Sequence, residues 1–162
     1  MKRGEFTLAS GRTSGIFFNL KPAMLLPEAA DIIADEILER LEGGKVDFIG
    51  GLEMGAVPIV AMVCAKSWAQ TPIPAFFVRK AVKDHGAREL IEGNLEDNSN
   101  VVLVEDVTTT GGSVLKAVEI VRMRGCRVLK ILTIVDRLEG AAENLAKHDL
   151  KLAALLTKND FL

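Results

Sequence analysis

The chain has 162 residues, of which 49% are hydrophobic and 26% are charged, so it is long and apolar enough to bury one core. Its formal net charge of −2 excludes a general electrostatic attraction to nucleic acid or to an anionic membrane, so an anion site must be built locally. The spacing of the two cysteines is typical of neither a metal site nor a disulfide framework, and the sequence shows neither a signal peptide nor a transmembrane segment. The chain is therefore predicted to be a single cytoplasmic domain, 1–162. Neither a membrane nor a nucleic acid is expected as a partner.

Residues 6–19 are predicted to form two short extended pieces joined by a turn at Ser10-Gly11-Arg12. Three of the seven phenylalanines fall in this segment, including the adjacent pair Phe17 and Phe18. From the residues alone, the segment favours a small hairpin whose aromatic rings are simply part of the core.

An amphipathic helix is predicted from Pro27 to the Gly43-Gly44 pair, because apolar residues recur there at helical spacing. A strand at 47–49, a glycine-rich loop at 50–55 and a second helix from Val57 to about Trp68 follow. The glycines of that loop have two interpretations. They form a tight turn that needs glycine for its backbone alone, or they allow a close approach to a ligand.

Residues 75–78 are predicted as a third strand, and a basic segment follows it from Arg79 to Arg88. The chain then runs to Asn100 without a convincing helix, and an interval of about twenty residues is typical of lids and binding loops. By composition alone, the basic residues beside Asp84 and Glu89 would be a solvated charged surface.

The most specific signal lies near the middle of the chain. Val101–Val104 is predicted to be a strand buried on both faces, which Glu105 and Asp106 then end. Threonines, glycines and a serine follow at 108–113, before a helix whose apolar residues begin at Val114. Such a loop gathers backbone N–H groups and the positive end of the helix dipole, which suits a phosphate. Carboxyl groups beside it can accept hydrogen bonds from a diol, so the stretch is typical of a sugar-phosphate site.

Two common phosphate-binding motifs, the Walker A loop and the dinucleotide fingerprint, do not match this stretch. The simpler alternative is an ordinary strand-to-helix turn in which Thr110 or Ser113 caps the helix. A cap explains one hydroxyl group but not the whole run.

The last third of the chain is predicted to contain a buried strand at 128–135, a short helix at 141–148 and a strand at 152–156. Asp136 and Arg137 end the first of these strands. Polar segments thus follow four successive predicted strands, at 50–55, 79–85, 105–113 and 136–137. Open α/β sheets bind ligands outside the carboxyl ends of their strands, so these segments are expected to converge on one crevice.

Over its full length, the stretch 101–113 resembles the 5-phosphoribosyl-1-diphosphate (PRPP) motif of type I phosphoribosyltransferases. The pattern Phe-Thr-Leu-x-Ser-Gly-Arg-x-Ser-x-x-Phe-Phe at 6–18 is similar to the N-terminal hood of orotate phosphoribosyltransferases. The spacing Arg-Lys-x-x-Lys-x-His-Gly at 79–86 is similar to their mobile catalytic loop. The resemblance implies an α/β type I phosphoribosyltransferase fold, with a mainly parallel twisted sheet flanked by helices. It also implies a small hood at about 1–25 and a core at about 26–162.

The resemblance implies a role for each polar segment. Glu105 and Asp106 meet the ribose hydroxyls of PRPP, and Thr108, Thr109, Thr110, Gly111, Gly112 and Ser113 hold its 5′-phosphate. The loop residues Gly51, Glu53, Met54 and Gly55 lie against the diphosphate, and Arg79, Lys80, Lys83 and His85 bind PRPP as well. Phe17, Phe18, Thr109 and Arg137 contact orotate. Lys83, His85 and Asp106 are the implied catalytic residues.

The implied reaction joins orotate to PRPP and yields orotidine 5′-monophosphate and pyrophosphate, a step of uridine 5′-monophosphate (UMP) biosynthesis. Mg²⁺ is the implied cofactor, held mainly by oxygens of PRPP because the sequence has no dedicated metal site. A homodimer is also implied, in which the loop that carries Lys83 and His85 reaches the neighbouring subunit's site. Arg137 has a simpler alternative, a surface ion pair with Asp136 or Glu139.

The sequence departs from the family pattern in the hood. Ala9 stands where many relatives have a lysine that contacts the substrates, which leaves the completion of the pyrimidine side open. The chain starts close to the hood, without the N-terminal helices of most relatives, so a thinner hood or a different dimer surface is expected. No decarboxylase domain follows, so a fused bifunctional enzyme is not expected.

Two other functions compete with this interpretation. A phosphoribosyltransferase for another base, such as a purine, would keep the PRPP motif but would have no reason for the basic loop, Phe17-Phe18 and Arg137. A non-catalytic regulator that senses PRPP would normally bring a nucleic-acid-binding segment or a basic surface, and the sequence contains neither.

Overall fold

The computed structural model describes residues 2–7, 13–81 and 89–162, and for 2–7 and 13–17 it describes the backbone alone. The strands are β1 (Lys2–Thr7), β2 (Thr13–Phe17), β3 (Phe48–Gly51), β4 (Phe76–Val78), β5 (Ile91–Gly93), β6 (Asn100–Thr108), β7 (Arg127–Asp136) and β8 (Leu152–Thr157). The helices are α1 (Lys21–Met24), α2 (Pro27–Leu41), α3 (Ala56–Ser67), α4 (Gly112–Met123) and α5 (Ala141–Ala146), with a 3-10 helix at Lys158–Phe161. Of the helices in these ranges, none has the length and apolar character needed to cross a membrane.

A four-stranded parallel sheet in the order β3-β6-β7-β8 forms the centre of the fold, with Ile49 of β3 opposite Val102 of β6. β4 adjoins the other side of β3. There the Ile49 amide donates to the Pro74 carbonyl at 3.1 Å, and the Glu53 amide donates to the Val78 carbonyl at 2.8 Å. β5 pairs antiparallel with β4. The predicted mainly parallel sheet is therefore confirmed.

Successive residues of β6 point to opposite faces of the sheet, and helices cover both faces. Val102 and Val104 pack in a cluster with α2 and α3. Val101 and Leu103 pack in a second cluster with α4 and α5. All four side chains are fully buried, and each such burial contributes about 1.5–3 kcal/mol relative to an exposed position. Because β6 has no face toward solvent, its sequence shows a continuous apolar run and no alternation.

β1 and β2 pair antiparallel as a separate hairpin, with Thr7 opposite Thr13. The second predicted extended piece is thus confirmed at the level of the backbone, and the first is confirmed at Phe6 and Thr7, although β1 already begins at Lys2. Ala9 and the predicted Ser10-Gly11-Arg12 turn lie outside the described residues, as do Lys83 and His85. The division of the chain into a hood and a core stays a prediction.

Three elements differ from the predictions. β6 continues through the two carboxyl residues, because its pairing with β7 extends to the Thr108–Asp136 pair. The prediction that Glu105 and Asp106 end the strand is therefore wrong. The sequence does not predict β5, whose three residues are held by pairing with β4 and have no clear period of their own. It does not predict α1 either, since four residues are too few to show helical spacing.

Candidate active site

The carboxyl ends of β3, β4, β6 and β7 place the four predicted polar segments at one edge of the sheet. The Arg137 amide donates to the Thr108 carbonyl at 3.0 Å, which joins the segments after β6 and β7. The Lys80 amide donates to the Glu53 carboxylate at 2.8 Å, which joins the segments after β3 and β4. Side chains of β6 contact the loop after β3. The structure thus brings the four segments together, the second of them through its described residues 79–81 alone.

Glu105 and Asp106 are adjacent in β6, and both carboxyl groups contact Gly55. A Cβ atom at position 55 would lie 2.4 Å from Asp106 Oδ1 and 2.9 Å from Glu105 Oε1, so a side chain there would displace these carboxyl groups. Asp106 Oδ1 accepts a hydrogen bond from the Val107 amide at 2.9 Å, and Asp106 Oδ2 accepts one from Lys21 Nζ at 3.3 Å. Both oxygens of Asp106 are therefore engaged.

The glycine-rich loop lies between β3 and α3, and its Glu53–Met54 peptide bond is cis. Gly51 is the last residue of β3, and Gly55 is the N-cap of α3. The φ of Gly55 is −61°, a value open to any residue, so a tight turn does not explain this glycine. The close approach of the two carboxyl groups does explain it. The contact of this loop with a diphosphate stays a prediction.

Burial in the sheet and the neighbouring Asp106 raise the pKa of Glu105 from its ordinary value of 4.5 to about 8. The charge of Lys80 acts in the opposite direction and is the weaker influence. A carboxyl group with this pKa keeps its proton at pH 7. Glu105 therefore enters the site as a neutral group that can donate a hydrogen bond.

The raised pKa of Glu105 predicts how stability depends on pH. Between about pH 4.5 and 8 the folded protein binds more protons at Glu105 than the unfolded chain, so the free energy of unfolding falls as pH rises through this window. In Glu105→Gln this fall should disappear, because glutamine does not titrate. Each pKa unit corresponds to about 1.4 kcal/mol, and each kcal/mol to about 2–4 °C in Tm at this chain length.

Thermal unfolding followed by circular dichroism at pH 5, 6.5 and 8 tests this prediction. The Tm of Glu105→Gln should exceed that of the wild type by an amount that grows steadily from pH 5 to pH 8. Exposed Glu119, on α4, offers a matched control, and Glu119→Gln should follow the wild type at each pH. A Glu105→Gln curve parallel to the wild-type curve would show that Glu105 is ionised in the folded protein.

The segment between β6 and α4 forms a small cleft with the end of the strand. It is lined by Glu105, Val107, Thr108, Thr109, Gly111, Ser113 and Val114. Gly111 is the N-cap of α4, with a φ of +80°, and no side chain among the described residues caps the helix. The interpretation of Thr110 or Ser113 as a simple cap is therefore wrong. The first N–H groups of an uncapped helix suit an anion. The buried Thr108 hydroxyl has no hydrogen-bond partner within the described ranges, so it offers a further donor.

Arg79 and Lys80 directly follow β4. The Arg79 amide donates to the Leu90 carbonyl at 2.7 Å, and its guanidinium lies 3.6 Å from the Glu92 carboxylate. The Lys80 side chain is exposed, and its charge acts on Glu105. The structure therefore places both of these predicted residues at the edge of the site, while the predicted roles of Lys83 and His85 fall outside the part it describes.

Arg137 is buried, with 5% of its side chain exposed, and its guanidinium lies 2.7 Å from the Glu139 carboxylate. The guanidinium carbon is 5.9 Å from the centroid of the Phe18 ring. The predicted ion pair with Glu139 is thus confirmed, but its location at the surface is wrong, because Arg137 is buried. Phe18 is itself buried, and its ring meets that of Phe161 edge to face at 5.2 Å. Of Phe17 the structure describes the backbone alone.

The sequence analysis assigns no role to two residues of this region, Lys21 and Phe161. Lys21 contacts Asp106, which follows it by 85 positions. Phe161 contacts Phe18 from the 3-10 helix after the last strand. Both contacts join distant parts of the chain, so no local pattern could have indicated them.

Residues 20–153 match the phosphoribosyl transferase domain family. The orotate phosphoribosyltransferase of Rhodopseudomonas palustris (strain BisB5) is 52% identical over 165 residues, which cover 99% of this chain and 88% of that protein. These similarities extend over the sheet, the glycine-rich loop and the β6–α4 unit.

Two crystal structures of Mycobacterium tuberculosis H37Rv orotate phosphoribosyltransferase share the fold. The complex with Fe(III) dicitrate aligns with a TM-score of 0.84 and 36% identity, over 98% of this chain and 89% of that one. The complex with PRPP aligns with a TM-score of 0.79 and 35% identity, over 89% of this chain and 82% of that one. The chain therefore belongs to the phosphoribosyltransferase family and, within it, to the orotate phosphoribosyltransferases.

Proposed function

We propose that this chain transfers the 5-phosphoribosyl group of PRPP to orotate and yields orotidine 5′-monophosphate and pyrophosphate in UMP biosynthesis. The observation that carries the proposal is the meeting of Asp106, the cleft before α4 and the buried Arg137 at one edge of the sheet. Similarity to the orotate phosphoribosyltransferases of R. palustris and M. tuberculosis supports it.

The β6–α4 unit is proposed to bind the ribose 5-phosphate part of PRPP. Hydroxyl groups of Thr108, Thr109, Thr110 and Ser113 and the N–H groups of Gly111 and Gly112 would hold the phosphate. Donors of this kind at a helix N-terminus match the charge and the oxygens of that group. Glu105 lines the cleft and Asp106 is the next residue of β6. Both would bind the ribose hydroxyls, Asp106 as an acceptor and neutral Glu105 as a donor as well.

Catalysis is proposed to depend on charge. The diphosphate leaves the anomeric carbon of the ribose, where positive charge develops, and the Asp106 carboxylate would stabilise that charge from a fixed position. The loop of Gly51, Glu53, Met54 and Gly55 would hold the diphosphate. Arg79, Lys80, Lys83 and His85 would bring positive charge to it, with Lys83 and His85 acting in catalysis. Closure of their loop would also exclude water from the cationic centre.

Orotate is proposed to bind between the hood and Arg137. A guanidinium can bind a carboxylate through two parallel hydrogen bonds, which suits the acid group of orotate. The ion pair with Glu139 orients Arg137, and the Phe18 ring lies beside the guanidinium. Phe17 and Thr109 would complete the contacts with the pyrimidine.

Mg²⁺ is the proposed cofactor, and its ligands would come mainly from PRPP. Magnesium prefers phosphate oxygens and retains several waters, so the ion can enter the site bound to the diphosphate. There it would neutralise part of the diphosphate's negative charge. The nearby carboxyl groups fit this arrangement, since Asp106 pairs with Lys21 and Glu105 keeps its proton. Within the described residues, the structure contains no group of three or more His, Cys, Asp or Glu side chains that could hold a metal ion.

A homodimer in the cytoplasm completes the proposal. The dimer would share its catalytic loops, so that Lys83 and His85 of one subunit act in the site of the other. A two-fold axis makes such an exchange reciprocal.

A base-specificity assay of the purified protein tests the proposed function. With PRPP and Mg²⁺, orotate should be consumed and pyrophosphate released, whereas adenine, hypoxanthine, guanine and uracil should give less than about 1% of that rate, a difference of about 2.7 kcal/mol in transition-state binding. Uracil is the matched comparison, since it lacks only the carboxylate that Arg137 is proposed to bind. Comparable turnover of a purine would assign the site to another base, and PRPP binding without turnover of any base would favour a regulator.

A further inference from the structure

Lys21 is the first residue of α1, and its ammonium lies 3.3 Å from Asp106 Oδ2. The two side chains differ in exposure, since 51% of Lys21 but only 15% of Asp106 is accessible. The contact therefore joins a half-exposed lysine to a largely buried carboxylate of the site.

The fold holds the backbone of Lys21 in place while leaving its ammonium accessible. Phe18 before it and Met24 after it are both buried in the cluster on the α2 and α3 face of the sheet. The Met24 amide donates to the Leu20 carbonyl at 2.8 Å, and the Lys21 amide donates to Asn19 Oδ1 at 3.3 Å. The side chain therefore reaches the site from an anchored segment.

The position of the ammonium is defined by the carboxylate that it contacts. Asp106 presents Oδ2 to Lys21 and Oδ1 to Gly55, so Lys21 and the glycine-rich loop flank the same group. An anion held by that loop would consequently lie beside the Lys21 ammonium. An ammonium group has three N–H donors, and Asp106 Oδ2 takes one of them.

The charge of the site also favours a cation at this position. The Glu53 carboxylate accepts from the Lys80 amide and Asp106 contacts Gly55, so both groups lie along the loop that is proposed to hold the diphosphate, and carboxylates repel phosphate oxygens. A lysine that contacts Asp106 offsets that repulsion. Asp106 can still accept hydrogen bonds from ribose, because a carboxylate has about four acceptor sites.

We propose that Lys21 is a substrate-binding residue that stays paired with Asp106 and donates its remaining N–H groups to the diphosphate of PRPP. The assignment rests on the proposed function, since it requires that PRPP occupy the site. It adds a fixed cation from the hood to those that the sequence analysis places on the loop at 79–85.

The test compares Lys21→Met and Lys21→Arg with the wild type, and uses Lys147→Met as a control because Lys147 is an exposed lysine after α5. Isothermal titration calorimetry with PRPP and Mg²⁺, without orotate, measures binding apart from turnover. Steady-state kinetics give the KM of each substrate and kcat, and thermal unfolding monitors the fold. Lys21→Gln replaces Lys21→Met if methionine lowers the Tm by several degrees.

Lys21→Met should raise the Kd and the KM of PRPP by about tenfold or more, the expected loss for a charge-assisted hydrogen bond. The orotate KM should change much less, Lys21→Arg should recover most of the affinity, and Lys147→Met should match the wild type. Wild-type PRPP affinity in Lys21→Met, with only kcat or Tm lowered, would overturn the assignment and leave Lys21 as a structural partner of Asp106. A wild-type protein that bound no PRPP would overturn the proposed function as well, so the two failures are distinguishable.

Discussion

Replacing Asp106 with asparagine should lower the rate of orotidine 5′-monophosphate formation by about a hundredfold or more, which corresponds to at least about 2.7 kcal/mol of transition-state stabilisation. The carboxylate is proposed to face the cationic ribose carbon, so the loss of its charge acts on the transition state more than on bound substrate. Asparagine has nearly the same shape, and its side-chain oxygen can still accept the 2.9 Å hydrogen bond from the Val107 amide. The change therefore removes charge with little effect on packing, and it removes the ion pair with Lys21 as well.

Steady-state kinetics with saturating orotate and PRPP measure this loss, and a thermal melt shows whether the variant is folded. Asp149→Asn is the matched control, because Asp149 is exposed and its φ of +59° is one that asparagine tolerates. It should retain wild-type activity. If Asp106→Asn stayed within about threefold of the wild type, well under 1 kcal/mol, Asp106 would be a structural residue of the strand.

Mixing two inactive variants, Lys83→Ala and Asp106→Asn, should restore activity if the catalytic loop is shared between subunits. In a hybrid dimer, one site would then combine an intact core with an intact loop, and the other site would carry both lesions. With random exchange, half of the dimers are hybrids, so the recovered rate should be roughly a quarter of that of the wild type. A loop that acted within its own subunit would leave one lesion in each site.

The mixture should be assayed after subunit exchange has been verified by native mass spectrometry. Gly55→Ala with Asp106→Asn is the control pair, because a Cβ atom at position 55 would lie 2.4 Å from Asp106 Oδ1 and disturb the same core. Two core lesions leave no intact site in a hybrid, so that mixture should remain inactive. Verified exchange without recovery in the first mixture would rule out a shared site.

The β6–α4 unit could be predicted from sequence because its signal is local. A continuous apolar run at Val101–Val104 indicates a strand with no solvent face, and the change from threonines and glycines to helical spacing marks the start of α4. The family resemblance then supplied roles for Glu105, Asp106 and Arg137 that no spacing rule could supply. Those roles remain proposals.

The parts that could not be predicted depend on contacts between distant residues. β6 extends to Thr108 because β7 pairs with it there, and β5 exists because β4 is beside it. Lys21 lies beside Asp106, 85 positions later in the sequence, only in the folded chain. The raised pKa of Glu105 likewise arises from burial in the folded protein. The pattern of apolar residues around Glu105 does not predict how deeply its carboxyl group is buried.

The pairing of β4 with β5 has an entropic consequence for the predicted catalytic loop. Val78 lies opposite Ile91, and the Arg79 amide is bonded to the Leu90 carbonyl, so the two ends of the loop are held together before any ligand binds. Only residues 80–89 separate these two bonded residues, roughly half of the twenty or so that the sequence suggests, and each halving of a loop lowers its closure cost by about 0.6 kcal/mol. That cost arises when the chain folds, so the difference belongs to the free energy of unfolding. The β4–β5 pairing can therefore stabilise the fold against a long connection while it fixes both ends of the segment that is proposed to bind PRPP.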